Sequence, residues 1–227
     1  PGCYSVMHDI KQVQHRGERL LEQAEDLAHR FSTDETSKAT SIARINEAWK
    51  DLAFTQFHDI LAGTSVPSSY ISTRHMQGRA SIVGEEEIVR ISRRYARKTL
   101  PCENEQRLVF LNASVHEFDG FMECEPFIDF DDWGDRWFAD ENGEPVPFQL
   151  IASEPSMGAM VHRVVLPVII PAQGQRILSL LNSANRSSLP PLQPVKTSAN
   201  SLASGDLTVT TSATGISSIL WKGRELL

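Results

Sequence analysis

The stretch EAWKDLAFTQFHDILAGTS, residues 47–65, decides how this chain is read. Trp49 and Leu52, with Ile42 and Ile45 before them, recur at helical spacing. That spacing predicts a helix from about Ser41 to His58 or Ile60, ended by Gly63. Thr64, Ser65, Val66 and Pro67 then look like a new helix start, with proline near the first helical position. Gln56, His58 and Asp59 fall at the expected helix end, where side chains can leave a bundle and point into a neighbouring cleft. One His beside one Asp is weak evidence for a metal by itself, because zinc takes at least three protein ligands. His8 and His15 could share a face of the first helix, but they lack a third partner and read as surface or interhelical residues.

Upstream, Val6, Ile10, Val13, Leu20, Leu21, Ala24, Leu27, Ala28 and Phe31 keep mostly three-and-four spacing, with Ser5 placed to cap the first turn. The polar stretch from Ser32 to Thr40 reads as a connection between helices. Downstream, Tyr70, Ile71, Met76, Ala80, Val83, Ile88, Ile91 and Tyr95 define a third helix that Gly78 and Gly84 could bend. After Pro101 the pattern changes. Residues 107–111, 118–127, 146–151, 160–170 and 176–181 are short, β-rich and separated by Asn, Gly, Pro or Asp. Asp140 to Gly143 is a turn signal. Residues 207–211 and 216–221 suggest a hairpin around Gly215.

The fold expected is therefore multidomain, α then β. Residues 1–101 form a three-helix bundle, and 102–183 a small antiparallel β-sandwich. Residues 184–201, rich in Ser, Asn and Pro, are a linker or surface loop. Residues 202–227 are the first strands of a further β-domain.

Composition sets the outer limits. With 227 residues, 41% hydrophobic and 22% charged, the chain has an ordinary globular make-up. A net charge of −7 with no basic stripe makes nucleic acid an unsuitable partner. The densest basic run, Arg90, Arg93, Arg94, Arg97 and Lys98 beside Glu85, Glu86 and Glu87, reads as a solvated helix face. Cys3, Cys102 and Cys124 are scattered and imply no disulfide framework, which favours a reducing, cytoplasmic setting. No apolar run approaches membrane-spanning length, so no membrane partner is expected. The chain opens Pro1, Gly2, Cys3, with no initiator Met or signal pattern, and reads as a fragment or processed product.

Residues 47–65 resemble the middle-domain signature of glycoside hydrolase family 38 α-mannosidases. There, a Trp-bearing helix is followed by Gln, an aromatic residue or His, then His-Asp and shortly Gly-Thr or Gly-Ser. Residues 2–5, 10–11 and 18–25 look like the opening of the same helical domain. Phe110 to Asn112 matches the start of its first β-domain, and Gly143 to Gln149 its Gly-x-x-Val-Pro-x-Gln turn. Residues 204–209 and 215–219 look like the first hairpin of its large C-terminal β-domain. The resemblance implies a retaining, zinc-dependent hydrolase of terminal α-mannosides, with the nucleophile, the acid and the remaining zinc ligands on an N-terminal catalytic domain. His58 would be the zinc ligand supplied here and Asp59 would hydrogen-bond sugar hydroxyls. The metal would bind two hydroxyls of the mannose and help distort its ring, while paired carboxylates carry the chemistry. No catalytic residue is expected within this chain. Its partners would be α-mannoside sugars and the missing N-terminal catalytic domain. The alternative is a non-catalytic carbohydrate-binding or protein-interaction module.

Asp129, Asp131, Asp132 and Asp135, with Asp140 beyond, superficially suggest a calcium loop. Trp133 stands where such a loop needs an oxygen ligand, and the flanks are β-like. An exposed acidic loop, with Trp133 and Trp137 at the rim of a β-domain, is the plainer expectation.

Overall fold

Helices come first and antiparallel sheets follow, as the sequence leads one to expect. A computed structural model describes residues 5–99, 106–128, 133–151, 162–182 and 196–227. Cys3, Cys102, Asp129 to Asp132 and residues 184–195 of the expected linker lie outside the described residues. Two compact units result, the first from residues 1–120 and 168–178, the second from 121–167 and 179–227.

In the first unit, α1 (His8–Phe31), α2 (Glu35–Phe54) and α4 (Ser69–Thr99) pack pairwise, and a single turn, α3 (His58–Leu61), precedes α4. Leu21, Ala24, Leu27, Ala28 and Phe31 of α1 meet Ile45, Ala48 and Leu52 of α2 and Ala80 and Ile91 of α4 in one core. Phe31 meets the Tyr95 ring edge-on, with centroids 5.1 Å apart. Gly78 and Gly84 do not interrupt α4. Gly84 lets α1 come close, because a Cβ there would stand 2.8 Å from Leu20 Cβ and 3.0 Å from its carbonyl carbon.

Three expectations for the helices are corrected. Helix α1 starts at His8 after Met7, whose φ is 51°, and Ser5 is not its cap. Helix α2 starts at Glu35, well before Ser41, because the Asp34 carboxylate accepts the Ser37 amide at 2.8 Å and caps it. Hydrogen bonds from Ser37 hold the Asp34 carboxyl down at about 2. The capping stabilisation is thus complete above the ordinary carboxylate range and is lost as pH falls toward about 2. Ser37 is buried rather than part of a polar connection, and it and the buried Ser41 accept hydrogen bonds from Arg94 and Arg90. The basic run is therefore not wholly a solvated face. Glu87 among it is fully buried, held by Arg90 and by Arg44 Nη1 at 2.7 Å, the pairing a buried charge requires.

The β part begins in this unit. Strand β1 (Gln106–Leu111) runs beside β7 (Gln175–Asn182), whose residues 175–178 belong here. Asn112 fixes the following loop. Its side-chain amide donates to the carbonyls of His116, Ile170 and Pro171, and its Oδ1 accepts the Ser114 amide.

In the second unit, β3 (Arg136–Ala139) pairs with the rest of β7 from Arg136↔Asn182 to Ala139↔Ser179, and with β4 (Pro145–Val146). Residues 121–124 of β2 (Phe118–Cys124) and 163–167 of β6 (Arg163–Ile170) belong to this unit, and β6 pairs there with β5 (Gln149–Ile151) from Gln149↔Val165 to Ile151↔Arg163. The meander β8 (Lys196–Ser198), β9 (Ser201–Ser204), β10 (Leu207–Ser212), β11 (Gly215–Trp221) and β12 (Arg224–Glu225) makes a sheet of its own. Its central hairpin turns at Gly215, φ 127°. Trp133 and Trp137 are buried, not at a rim. Trp133 packs against Phe148 at 5.1 Å and Phe138 at 5.8 Å, and donates its Nε1–H to Arg136 O. The Cys124 thiol is pushed up to about 11 by burial, which keeps it protonated at neutral pH.

The two α4 glycines separate packing from propensity. Gly84→Ala should lose roughly 1–3 kcal/mol through the clash with Leu20. Gly78→Ala, whose added methyl meets nothing within 4 Å, should gain roughly 0.5–1 kcal/mol. Urea unfolding of both variants checks the opposite signs.

Candidate functional site

His58 and Asp59 stand on a separate helical turn, not at the end of α2. Helix α2 stops at Phe54, where the Thr55 amide bonds Asp51 O and Leu52 O in the closing turn. Residues 55–57 form a turn in which the Gln56 and Phe57 amides bond Ala53 O and Phe54 O, and α3 begins at His58 itself. The amides of Ile60 and Leu61 then bond Phe57 O, the Ala62 amide His58 O, and the Thr64 amide Asp59 O. The expected continuous helix fails where Thr55 turns inward and is fully buried: Leu52 O, which the Gln56 amide would take in a continuing helix, accepts from the Thr55 amide and Gln14 Nε2 instead, and the Gln56 amide bonds Ala53 O.

One apolar side chain anchors the turn. Ile60 is buried against Ile10 and Tyr70, with Met7 beside them. The Tyr70 hydroxyl accepts the Ser65 amide at 3.0 Å and lies 3.4 Å from both Asp59 O and Ile60 O. Gly63 closes the turn with φ 84°, where a side chain would be strained. A Cβ there would also fall 2.8 Å from Val6 Cγ1 and 2.9 Å from Val6 O. With Ile60 inward, its two predecessors are forced outward: the His58 side chain is 78% exposed and that of Asp59 56%.

His58 Nε2 lies 3.5 Å from Asp59 Oδ1, and its ring rests on exposed Phe57 with centroids 4.3 Å apart. His58 also lines an open cleft of about 460 Å³ with Lys11, Gln14, His15, Glu18, Gln56, Leu61 and Ala62. Glu18 Oε1 accepts Gln56 Nε2 at 2.7 Å and Gln14 Nε2 at 3.2 Å, and its Oε2 lies 3.6 Å from His15 Nδ1. His8 and His15 are both exposed, and only His15 borders this cleft.

Among the described residues, no three His, Cys, Asp or Glu side chains converge in a way that could hold a metal. An exposed imidazole with one carboxylate beside it fits a ligand contributed to a larger site, not a closed zinc site. The residues behind the turn, Gln14, Thr55 and Gln77, were not singled out from the sequence. The signal available was Gln14 itself, an amide in the apolar stripe of Ile10, Gly17 and Leu21.

Residues 1–89, the stretch that bears His58 and Asp59, match the family model described as the alpha mannosidase middle domain. No curated protein matches the chain. In fold, the chain is similar to an alpha-mannosidase from Enterococcus faecalis V583, with a TM-score of 0.72 and 16% identity, covering 99% of this chain and 29% of that one. It is likewise similar to a glycosyl hydrolase family 38 protein from Enterococcus faecalis, with a TM-score of 0.69 and 16% identity, covering 99% of this chain and 30% of the other. The chain thus spans less than a third of the length of these relatives. Sequence over the bundle and fold over the whole chain agree with the resemblance to family 38 α-mannosidases.

Gly63→Ala should lower the melting temperature, since an L residue in the left-handed region costs roughly 1–2 kcal/mol before the clash with Val6 is counted. Thermal unfolding followed by circular dichroism checks this, and an unchanged midpoint would contradict the described turn.

Proposed function

We propose that the chain is the middle-domain and adjoining β part of a retaining, zinc-dependent α-mannosidase. In this reading His58 is given to the metal and Asp59 to the sugar. One observation carries the reading: the two side chains are thrust outward together from a turn anchored by Ile60, within the segment matching the middle-domain model.

The chemistry divides accordingly. Zinc, when bound, would hold hydroxyls of the terminal mannose. His58 offers an imidazole nitrogen from a backbone pinned by the hydrogen bonds of residues 57–64, so little ordering remains to be done on binding. Asp59, an acceptor-only group when ionised, suits sugar hydroxyl donors. Retaining hydrolysis needs a carboxylate nucleophile and a second carboxyl acting as acid, then base, close together across the scissile bond. This reading assigns both to a further catalytic domain. The boundaries near residues 101, 183 and 201 would separate the bundle, the β-sandwich, a linker and the first strands of the next domain. No helix among the described residues is long and apolar enough to cross a membrane, and a cytoplasmic setting is part of the proposal.

Two tests follow. The 227-residue chain by itself should not turn over aryl α-mannosides, because binding contacts alone form no glycosyl-enzyme intermediate. Activity that persists through a second purification would overturn the assignment of roles.

In the complete protein, His58→Ala should lower zinc per chain and lose activity that excess zinc partly restores. Asp59→Asn should keep its zinc and lose on the order of 1.5–3 kcal/mol in kcat/KM. Full zinc and lost stability alone in His58→Ala would defeat the reading. So would intact activity in both variants, the outcome a non-catalytic module predicts.

A further inference from the structure

Behind the His58 turn lies a chain of uncharged polar groups inside an otherwise apolar helix contact. Gln14 and Gln77 are 3% and 0% exposed, and Thr55 is 0% exposed. Gln14 uses its whole amide. Its Nε2 donates to Leu52 O at 3.3 Å and Glu18 Oε1 at 3.2 Å. Its Oε1 accepts the Thr55 hydroxyl at 2.7 Å and Gln77 Nε2 at 2.9 Å. Gln77 Nε2 also reaches Ile10 O at 3.2 Å, and Glu18 passes the chain on to Gln56 at 2.7 Å.

The amide orientations are dictated. Leu52 O, Ile10 O and the Glu18 carboxylate are acceptors only, so each must face an NH2 group. Burying three such side chains costs desolvation that aliphatic residues at the same positions would avoid. Gln77 Oε1 has no hydrogen-bond partner among the described residues, a further cost. Core stability alone does not account for this arrangement. Its bonds meet at Leu52 O and Thr55, where α2 is made to stop, and surface at Gln56, two residues before His58.

We propose that Gln14 is a positioning residue for His58 and Asp59, acting through Thr55 on the buried side and through Glu18 and Gln56 on the exposed side. The relay fixes where α2 ends, and so the direction in which the turn carries the two side chains out. Satisfied polar networks specify one geometry where an apolar core tolerates several. The proposal rests on the reading of His58 and Asp59 as the ligand-bearing pair. Its test needs neither zinc nor sugar, so the two readings can fail separately.

The test uses the 227-residue chain under conditions where the unaltered chain is fully folded. The readouts are hydrogen exchange of the Gly63 and Thr64 amides and the His58 ring resonances. Thr55→Val and Glu18→Leu should speed exchange at the turn by about tenfold and shift or broaden the ring signal. Thr55→Ser, which keeps the hydroxyl, should restore both. Leu27→Ala, in the same core but remote from the relay, should lower the melting temperature and leave both readouts at their wild-type values. If Thr55→Val does not fold, Glu18→Leu on the half-buried flank of α1 decides alone. Unmoved readouts in the relay variants, or equal movement in Leu27→Ala, would reduce the relay to core stability and overturn the proposal.

Discussion

The close approach of α1 to α4 is the contact on which the rest depends. At Gly84 the α4 backbone lies against Leu20, and no side chain fits between them. The helices run parallel along this seam, joined near its start by Arg74 and Asp9 at 2.7 Å and near its end by Phe31 and Tyr95. Only at such a separation can Gln77 reach across to Gln14, and Tyr70 close with Ile10 over Ile60. Where α2 stops and where His58 goes follow from these contacts. The site thus depends on backbone proximity more than on any surface ion pair, which contributes little in water.

A division between burial and display then explains the turn. In residues 55–60, Thr55 and Ile60 are buried while Gln56, Phe57, His58 and Asp59 are exposed. Two fixed inward points with a short bridge between them leave the bridge little freedom. A ligand-bearing pair held this way loses less entropy on binding than one carried by a long loop. The exposed Phe57 ring under His58 further restricts the imidazole.

The sequence made some of this legible and hid the rest for identifiable reasons. Long apolar stripes located α1 and α4, and β-branched runs bounded by turn residues located β1, β6, β7, β10 and β11. The motif at His58 was visible by resemblance. The early start of α2 was concealed because Ser37, in the polar stretch, looks like a loop residue, and its burial depends on Arg94 arriving from another helix. Strand β3 was missed because acidic residues before it suggested a loop, while Trp133 and Trp137 owe their burial to partners such as Phe138 and Phe148. The break between α2 and α3 was missed for a similar reason. Thr55 is an ordinary helix residue until Gln14 supplies the acceptor that draws it inward. Local pattern locates elements, but a polar side chain is buried by partners distant in sequence.

The most direct test of the central claim is a zinc-edge anomalous difference map from crystals of the complete protein. A zinc ligated by His58 gives a peak about 2.0–2.1 Å from a His58 ring nitrogen, with the Asp59 carboxylate beyond bonding distance and turned toward the sugar site. A fully bound zinc with His58 outside its coordination shell would contradict the claim.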